Sequence, residues 1–265
     1  MGRALIGGLL KEGLQAQQIS VIETNSETAS QLKKDFAITT INSIDAIALD
    51  ESKNNIVIMA IKPQDFKVAA QALSGKLHAS AAPLILSIAA GIRTNDMSRW
   101  LGQTRCVRAM PNTPALIGKG ITGLFAETTV NDADRNLAEV ICNALGQTVW
   151  VAQEQLLDAV TALSGSGPAY VFAFLEALQA SGEKLGLDSM TARKLAYATV
   201  EGASQLANHS VESASTLRER VTSKGGTTAA ALAVLKNMDW QTTLEKALAA
   251  AAERSKTMGD ELGQG

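Results

Sequence analysis

The sequence predicts a doubly wound α/β domain followed by an all-α domain. Two observations carry this. Up to about residue 152, short apolar runs alternate with amphipathic stretches. Beyond about Gln153 the strand signals vanish, and apolar residues recur at helical spacing. The chain has 265 residues, enough for one large or two modest domains. The expected division is 1–152 and 153–265.

In the first half, residues 19–22, 55–61, 83–88, 104–110 and 120–126 read as strands, with 149–151 closing the series. They are short and rich in Val and Ile, and several lack polar alternation, as a parallel sheet covered on both faces requires. Helical segments lie between them near 27–36, 64–73, 94–101 and 132–145. Asn131 or Asp132 is placed to cap the last of these and Gly146 to end it. In the second half, helical spacing runs through 169–185, 191–206, 228–235 and 243–258. Val171, Phe172, Leu175 and Leu178 make the first of these apolar around much of its circumference, so it must be buried in a core or a subunit interface. A short polar tail follows Met258.

Composition excludes several classes. Hydrophobic residues make up 46%, charged residues 19%, and the net charge is −2 without a long basic run, so the footprint of a nucleic-acid binder is absent. No apolar run approaches the roughly 20 residues of a membrane span. Residues 4–10 are too short and glycine-rich for a signal peptide. Cys106 and Cys142 lack paired-ligand spacing and read as reduced, buried thiols of a cytoplasmic protein. His78 and His209 have no metal partner at i+4, so neither a metal site nor a His-based triad is expected.

Several short motifs point to a ligand. Met1-Gly2 opens a helix-like segment, 2–11, with no strand before it. Gly2 fits the third glycine of a Rossmann fingerprint, whose first strand and first two glycines would lie upstream. Glu23 follows the next strand, 21 residues beyond Gly2, where a Rossmann acidic residue contacts the adenosine ribose. A solvated glutamate explains it equally well, and Thr24, Asn25 and Ser26 are also placed to receive a 2′-phosphate. Ala60-Ile61-Lys62-Pro63 ends one strand and Ala89-Ala90-Gly91 another, at the carboxyl edge where ligands of this fold sit. A solvent-facing lysine and a tight turn are the plain alternatives. Between two prolines, Asn112 and Thr113 stand in a stiff turn after a strand. Ser164-Gly165-Ser166-Gly167 reads as a flexible loop before Pro168 at a helix start, and Ser223-Lys224-Gly225-Gly226-Thr227-Thr228 precedes an Ala-rich helix. The free amides of such loops suit a small carboxylate, and helix capping by Thr227 or Thr228 is compatible with that role.

Taken together, these motifs resemble the pyrroline-5-carboxylate reductases along essentially the whole chain. The matching stretches are Ala60 to Gln64, Ala89 to Gly91, Met110 to Pro114, Ser164 to Tyr170 and, most specific, Val221 to Thr228. The resemblance implies a Rossmann domain and a helical dimerisation domain, with an active site between cofactor and helices to which a partner subunit contributes. It implies reduction of L-1-pyrroline-5-carboxylate to L-proline by NADPH, with NADH as the alternative, in a homodimer or larger homo-oligomer without nucleic-acid or membrane partners. Gly226, Thr227 and Thr228 would bind the substrate carboxylate, aided by Ser164, Gly165, Ser223 and Gly225. The Thr228 hydroxyl would be the catalytic group, near the ring nitrogen. Met1, Gly2, Thr24, Asn25, Ala60, Ile61, Lys62, Pro63, Ala89, Ala90, Gly91 and Asn112 would hold the cofactor. The departure from the family pattern is the strand and G-x-G-N-M-G, of which only Met1-Gly2 is present. Two other readings remain: a reductase of another imine or a β-hydroxy acid, for which Lys184 and Lys194 are the helical lysines to weigh, and a non-catalytic metabolite binder.

Overall fold

The computed structural model describes residues 1–47, 49, 55–77 and 82–264. His78 lies outside the described residues. By packing, the chain forms two compact units, Met1–Ser166 together with Ala250–Gly265, and Gly167–Ala249. The change of period near residue 152 therefore precedes the change of packing unit. The helical residues 156–165 and the end of the last helix pack with the strands.

The first unit runs α1 (Gly2–Lys11), β1 (Ser20–Ile22), α2 (Ser26–Phe36), β2 (Thr39–Ile41), β3 (Ile56–Met59), α3 (Pro63–Ser74), β4 (Leu84–Ser87), α4 (Thr94–Leu101), β5 (Cys106–Met110), β6 (Gly120–Ala126), α5 (Asp132–Asn143), β7 (Gly146–Trp150) and α6 (Leu156–Val160). Strands β3 to β7 form one sheet in sequence order, parallel except for the antiparallel β5–β6 pair. β1 and β2 pair in parallel as a separate sheet, and among the described residues no strand joins the two.

Alternation along β4 shows why its sequence is continuously apolar. Leu84 and Leu86 join a cluster with Leu5 of α1 and Ala138 and Ile141 of α5. Ile85 joins one with Phe66 of α3 and Met97 and Trp100 of α4. Helices cover both faces, so every residue of the strand is buried.

Several expectations are corrected. The sheet is mixed, because β6 returns antiparallel through a 3-10 turn, Thr113–Ile117. β2 escapes sequence reading, being three residues long with two threonines. Gly146 does not end a helix. It opens β7 at φ +136, where its backbone crowds that of Gly120 too closely for any side chain. Asn131 does cap α5, accepting from the Asp134 N–H. Ser164 and Gly165 are not in a flexible loop. They complete a π turn, Thr161–Gly165, that continues α6.

The second unit holds α7 (Gly167–Lys184), α8 (Ser189–His209), α9 (Ala214–Arg220), α10 (Thr227–Asn237) and the start of α11 (Trp240–Gly263). α9 is an addition to the sequence reading, and α11 carries on through the supposed polar tail. In α7 and α8 only Leu175, Ala192 and Ala196 are buried, while Val171, Phe172, Phe174, Leu195 and Tyr197 stand exposed. An apolar groove of about 180 Å³ runs between Leu178, Gly182, Leu187 and Leu195.

Candidate active site

The carboxyl ends of β3, β4 and β5 lie side by side, with Met59 paired to Ser87 and Ser87 to Arg108. The loops bearing Ala60 to Lys62, Ala89 to Gly91 and Asn112 therefore leave the sheet at one edge, the ligand edge of a doubly wound sheet. The Ile88 N–H donates to the Met59 carbonyl at 3.2 Å, and the Ala89 N–H to Ser87 Oγ at 3.2 Å. Ala60, Ala89, Ala90 and Gly91 bring small side chains or none to this edge. A Cβ added to Gly2 would lie 3.5 Å from Ala60 Cβ, so the start of α1 reaches this edge. No side chain caps α1 at Met1, and its first turn has no acidic residue. A helix start of this kind is compatible with an anion. Lys62 is the N-cap of α3 without a side-chain bond, Pro63 is its first residue, and Ile61 and Lys62 are exposed. Small residues beside a helix N-terminus fit a nicotinamide ring and a pyrophosphate.

At the end of β1, Glu23 accepts from the Asn25 N–H at 2.9 Å. Asn25 in turn caps α2, its Oδ1 accepting from the Thr28 N–H at 2.8 Å. Thr24 and Asn25 are exposed.

Two buried braces stand behind the edge. Asn112 does not present its amide to solvent. Nδ2 donates to the Ser164 carbonyl at 3.1 Å, and Oδ1 accepts from the Ile121 N–H at 3.0 Å. The π turn beside it packs closely, since a Cβ on Gly165 would lie 2.6 Å from Met110 Cε. Sequence reading missed the second brace. Arg108, buried in β5, pairs with Glu154 at 3.1 Å. Glu154 accepts from the Thr94 N–H at 2.8 Å and so caps α4, and Thr94 Oγ1 lies 3.0 Å from Glu127. An arginine inside an apolar strand was the available signal, because a buried charge requires a partner. Burial alone pushes the Cys142 thiol up to about 12, and burial pushes Cys106 up to about 11 against a hydrogen bond with Ser98. Both are free, and among the described residues no cluster of His, Cys, Asp and Glu is suited to a metal.

In the second unit, residues Ser223 to Gly226 form a turn closed by the Gly226 N–H donating to the Ser223 carbonyl at 3.1 Å, with Gly225 at φ +73. Gly226 is the N-cap of α10, and neither threonine caps the helix. Thr227 and Thr228 are its first two residues, and Ala230 is the first whose N–H reaches back to Gly226. Ser223 and Gly225 are exposed, and Thr228 is half-buried.

A model of pyrroline-5-carboxylate reductase dimerisation matches residues 154–258. One of NADP oxidoreductase, coenzyme F420-dependent, matches residues 1–91. The pyrroline-5-carboxylate reductase of Pseudomonas aeruginosa is 41% identical over all of this chain and 95% of its own. The chain belongs to the pyrroline-5-carboxylate reductase family. Solved members share its fold. That of Coxiella burnetii superposes with a TM-score of 0.90 at 37% identity, covering 97% of this chain and 94% of its own. The Plasmodium falciparum enzyme with NADP bound superposes with a TM-score of 0.82 at 28% identity, covering 98% and 94%. The family's two-part architecture, a Rossmann-like α/β domain and a helical dimerisation domain, is the one found here. Among the described residues no helix is long and apolar enough to cross a membrane.

Proposed function

We propose that this chain reduces L-1-pyrroline-5-carboxylate to L-proline, the last step of proline biosynthesis, using NAD(P)H. The observation that carries this reading is the full-length 41% identity to a named pyrroline-5-carboxylate reductase. The small-residue edge at Gly2, Ala60 and Ala89 to Gly91 supports it from the chain's own geometry. The cofactor, when bound, supplies the hydride that C5 of the C=N bond takes up.

The chain's residues bind and orient. Met1 and Gly2 offer the open amides of α1 to the phosphates. Thr24 and Asn25 lie at the adenosine end. Ala60, Ile61, Lys62, Pro63, Ala89, Ala90 and Gly91 take the nicotinamide half. We assign Asn112 to holding Ser164 in place, because its amide is engaged within the fold at both ends. For the substrate, the uncapped amides of Gly226, Thr227 and Thr228 hold the carboxylate, with Ser223 and Gly225 shaping the turn before them, and Ser164 and Gly165 are the substrate-facing residues of the first unit. The Thr228 hydroxyl hydrogen-bonds the ring nitrogen. A substrate that enters as the protonated imine needs no strong side-chain acid, so orientation and electrostatics carry the catalysis.

The enzyme works as a homodimer or larger assembly built through its helical unit, in the cytoplasm, where its two free thiols stay reduced. The test mixes protein, NADPH or NADH, and pyrroline-5-carboxylate, and follows cofactor oxidation and proline. Folded protein that forms no proline with either cofactor would overturn the reading.

A further inference from the structure

The last turns of α11 are seated on the loop that follows β4. Gly91 is left-handed at φ +78, and the space a Cβ would take there is closed by Leu262 Cδ1 at 3.0 Å and the Gly259 nitrogen at 3.6 Å. From the other side, a Cβ on Gly259 would lie 3.2 Å from the Gly91 carbonyl oxygen and 3.1 Å from the Arg93 guanidinium. Helix and loop thus meet backbone to backbone. Arg93 bonds Asp260 at 2.7 Å and donates to the Lys256 carbonyl at 3.3 Å. Arg99 donates to the Gly263 carbonyl at 2.8 Å. Leu262 packs on the apolar cluster that includes Met59, Ala89 and Ile92. A glycine inside a helix is unfavourable, yet at Gly259 a Cβ would press on the Gly91 carbonyl and the Arg93 guanidinium, which would have to give by a few tenths of an ångström.

We infer that the end of α11 sets the conformation of the loop Ala89 to Gly91, and that Gly259 and Asp260 are positioning residues for the nicotinamide half of the cofactor. The inference rests on the reading of that loop given above. On the strand side the loop is anchored at its start, where the Ala89 N–H donates to Ser87 Oγ, and just beyond its end, where Ile92 is buried in the apolar cluster. Its left-handed bend is held by α11. A helix end that merely plugged the apolar cluster would affect stability and every ligand alike. One that positions the loop affects only ligands that reach it.

The test compares Gly259→Ala, Gly259→Val and Asp260→Ala with wild type in the full chain. Binding of the preferred reduced cofactor is measured beside binding of ADP-ribose, which lacks the nicotinamide, with thermal midpoints taken in parallel. Gly259→Val is expected to weaken reduced-cofactor binding roughly 10-fold and to lower kcat further, since a displacement of about 1 Å at a reacting pair costs up to ~100-fold. ADP-ribose binding is expected to stay unchanged. Gly259→Ala should show the same split more weakly without loss of thermal stability, because alanine favours the helix. Should Gly259→Val fail to fold, the partly exposed Asp260 pair carries the test, and Asp260→Glu should restore what Asp260→Ala removes. Equal loss for both ligands, or lowered stability with no loss for either, would overturn the inference. Ala90→Leu, within the loop itself, separates the two claims. If it leaves reduced-cofactor binding intact, the loop does not line the nicotinamide half and the inference falls with that reading. If it weakens binding while the Gly259 and Asp260 variants do not, the role of α11 alone is refuted.

Discussion

Asn112 and Ser164 are joined by one hydrogen bond, Nδ2 donating to the carbonyl oxygen at 3.1 Å, which ties the turn after β5 to the π turn after α6. The opposite end of the same buried amide accepts from the Ile121 N–H at the start of β6. One side chain therefore fastens three segments. Asn112→Ala should leave a carbonyl and an N–H unpaired, at about 1–3 kcal/mol each. A denaturant titration should show a loss of roughly 2 kcal/mol or more, with Asn112→Asp in between. Unchanged stability would mean that water replaces the amide.

Thr228→Ala should lower kcat/KM about 10- to 100-fold, the equivalent of one hydrogen bond of roughly 1–3 kcal/mol. The fold should persist, because the N-cap of α10 is Gly226 and the Thr228 side chain caps nothing. Wild-type kinetics in this variant would remove Thr228 from catalysis.

Glu23 lies at the end of β1 with no lysine or arginine among residues 20–28, and the Asn25 side chain beside it is committed to capping α2. Its carboxylate would repel a 2′-phosphate. Glu23→Ser should therefore raise kcat/KM for NADPH relative to NADH by about 10-fold, close to 1.4 kcal/mol. An unchanged ratio would show that the adenosine end is read elsewhere.

The helical unit exposes Val171, Phe172, Phe174, Leu195 and Tyr197, an apolar surface that a subunit partner would bury. Light scattering at micromolar concentration should give at least twice the 27.8 kDa of one chain. Phe172→Asp with Phe174→Asp should dissociate the assembly. A wild-type monomer would refute this assignment of the surface.

Burial holds both thiols above their ordinary range, at about 11 for Cys106 and about 12 for Cys142. A raised thiol pKa leaves the protonated form dominant at neutral and mildly alkaline pH, and the thiolate is the nucleophile. The native protein should resist alkylation there, and both cysteines should label once it is unfolded. Rapid labelling of the folded protein would contradict the burial.

The amino-acid sequence by itself determined the alternation of strands and helices and the change to helices beyond β7, and it singled out the loops proposed to take a ligand. Each of these depends on short-range pattern. A run such as Leu84–Ser87 is apolar throughout because both its faces are covered, and Pro63 marks a helix start by its own fixed geometry. Local pattern does not name the partner of a contact between residues far apart in the chain: an arginine inside an apolar strand calls for a counter-charge without saying which. Only the tertiary structure decided that Asn112 faces inward, that Arg108 is matched by Glu154 46 residues later, and that Ser164 and Gly165 belong to a π turn. The same holds for the residues after Met258. Their polarity reads as a tail, but Gly259 and Leu262 close on Gly91, more than 160 residues earlier. Periodicity shows that a residue faces inward, but not what it meets there, which only the folded chain determines.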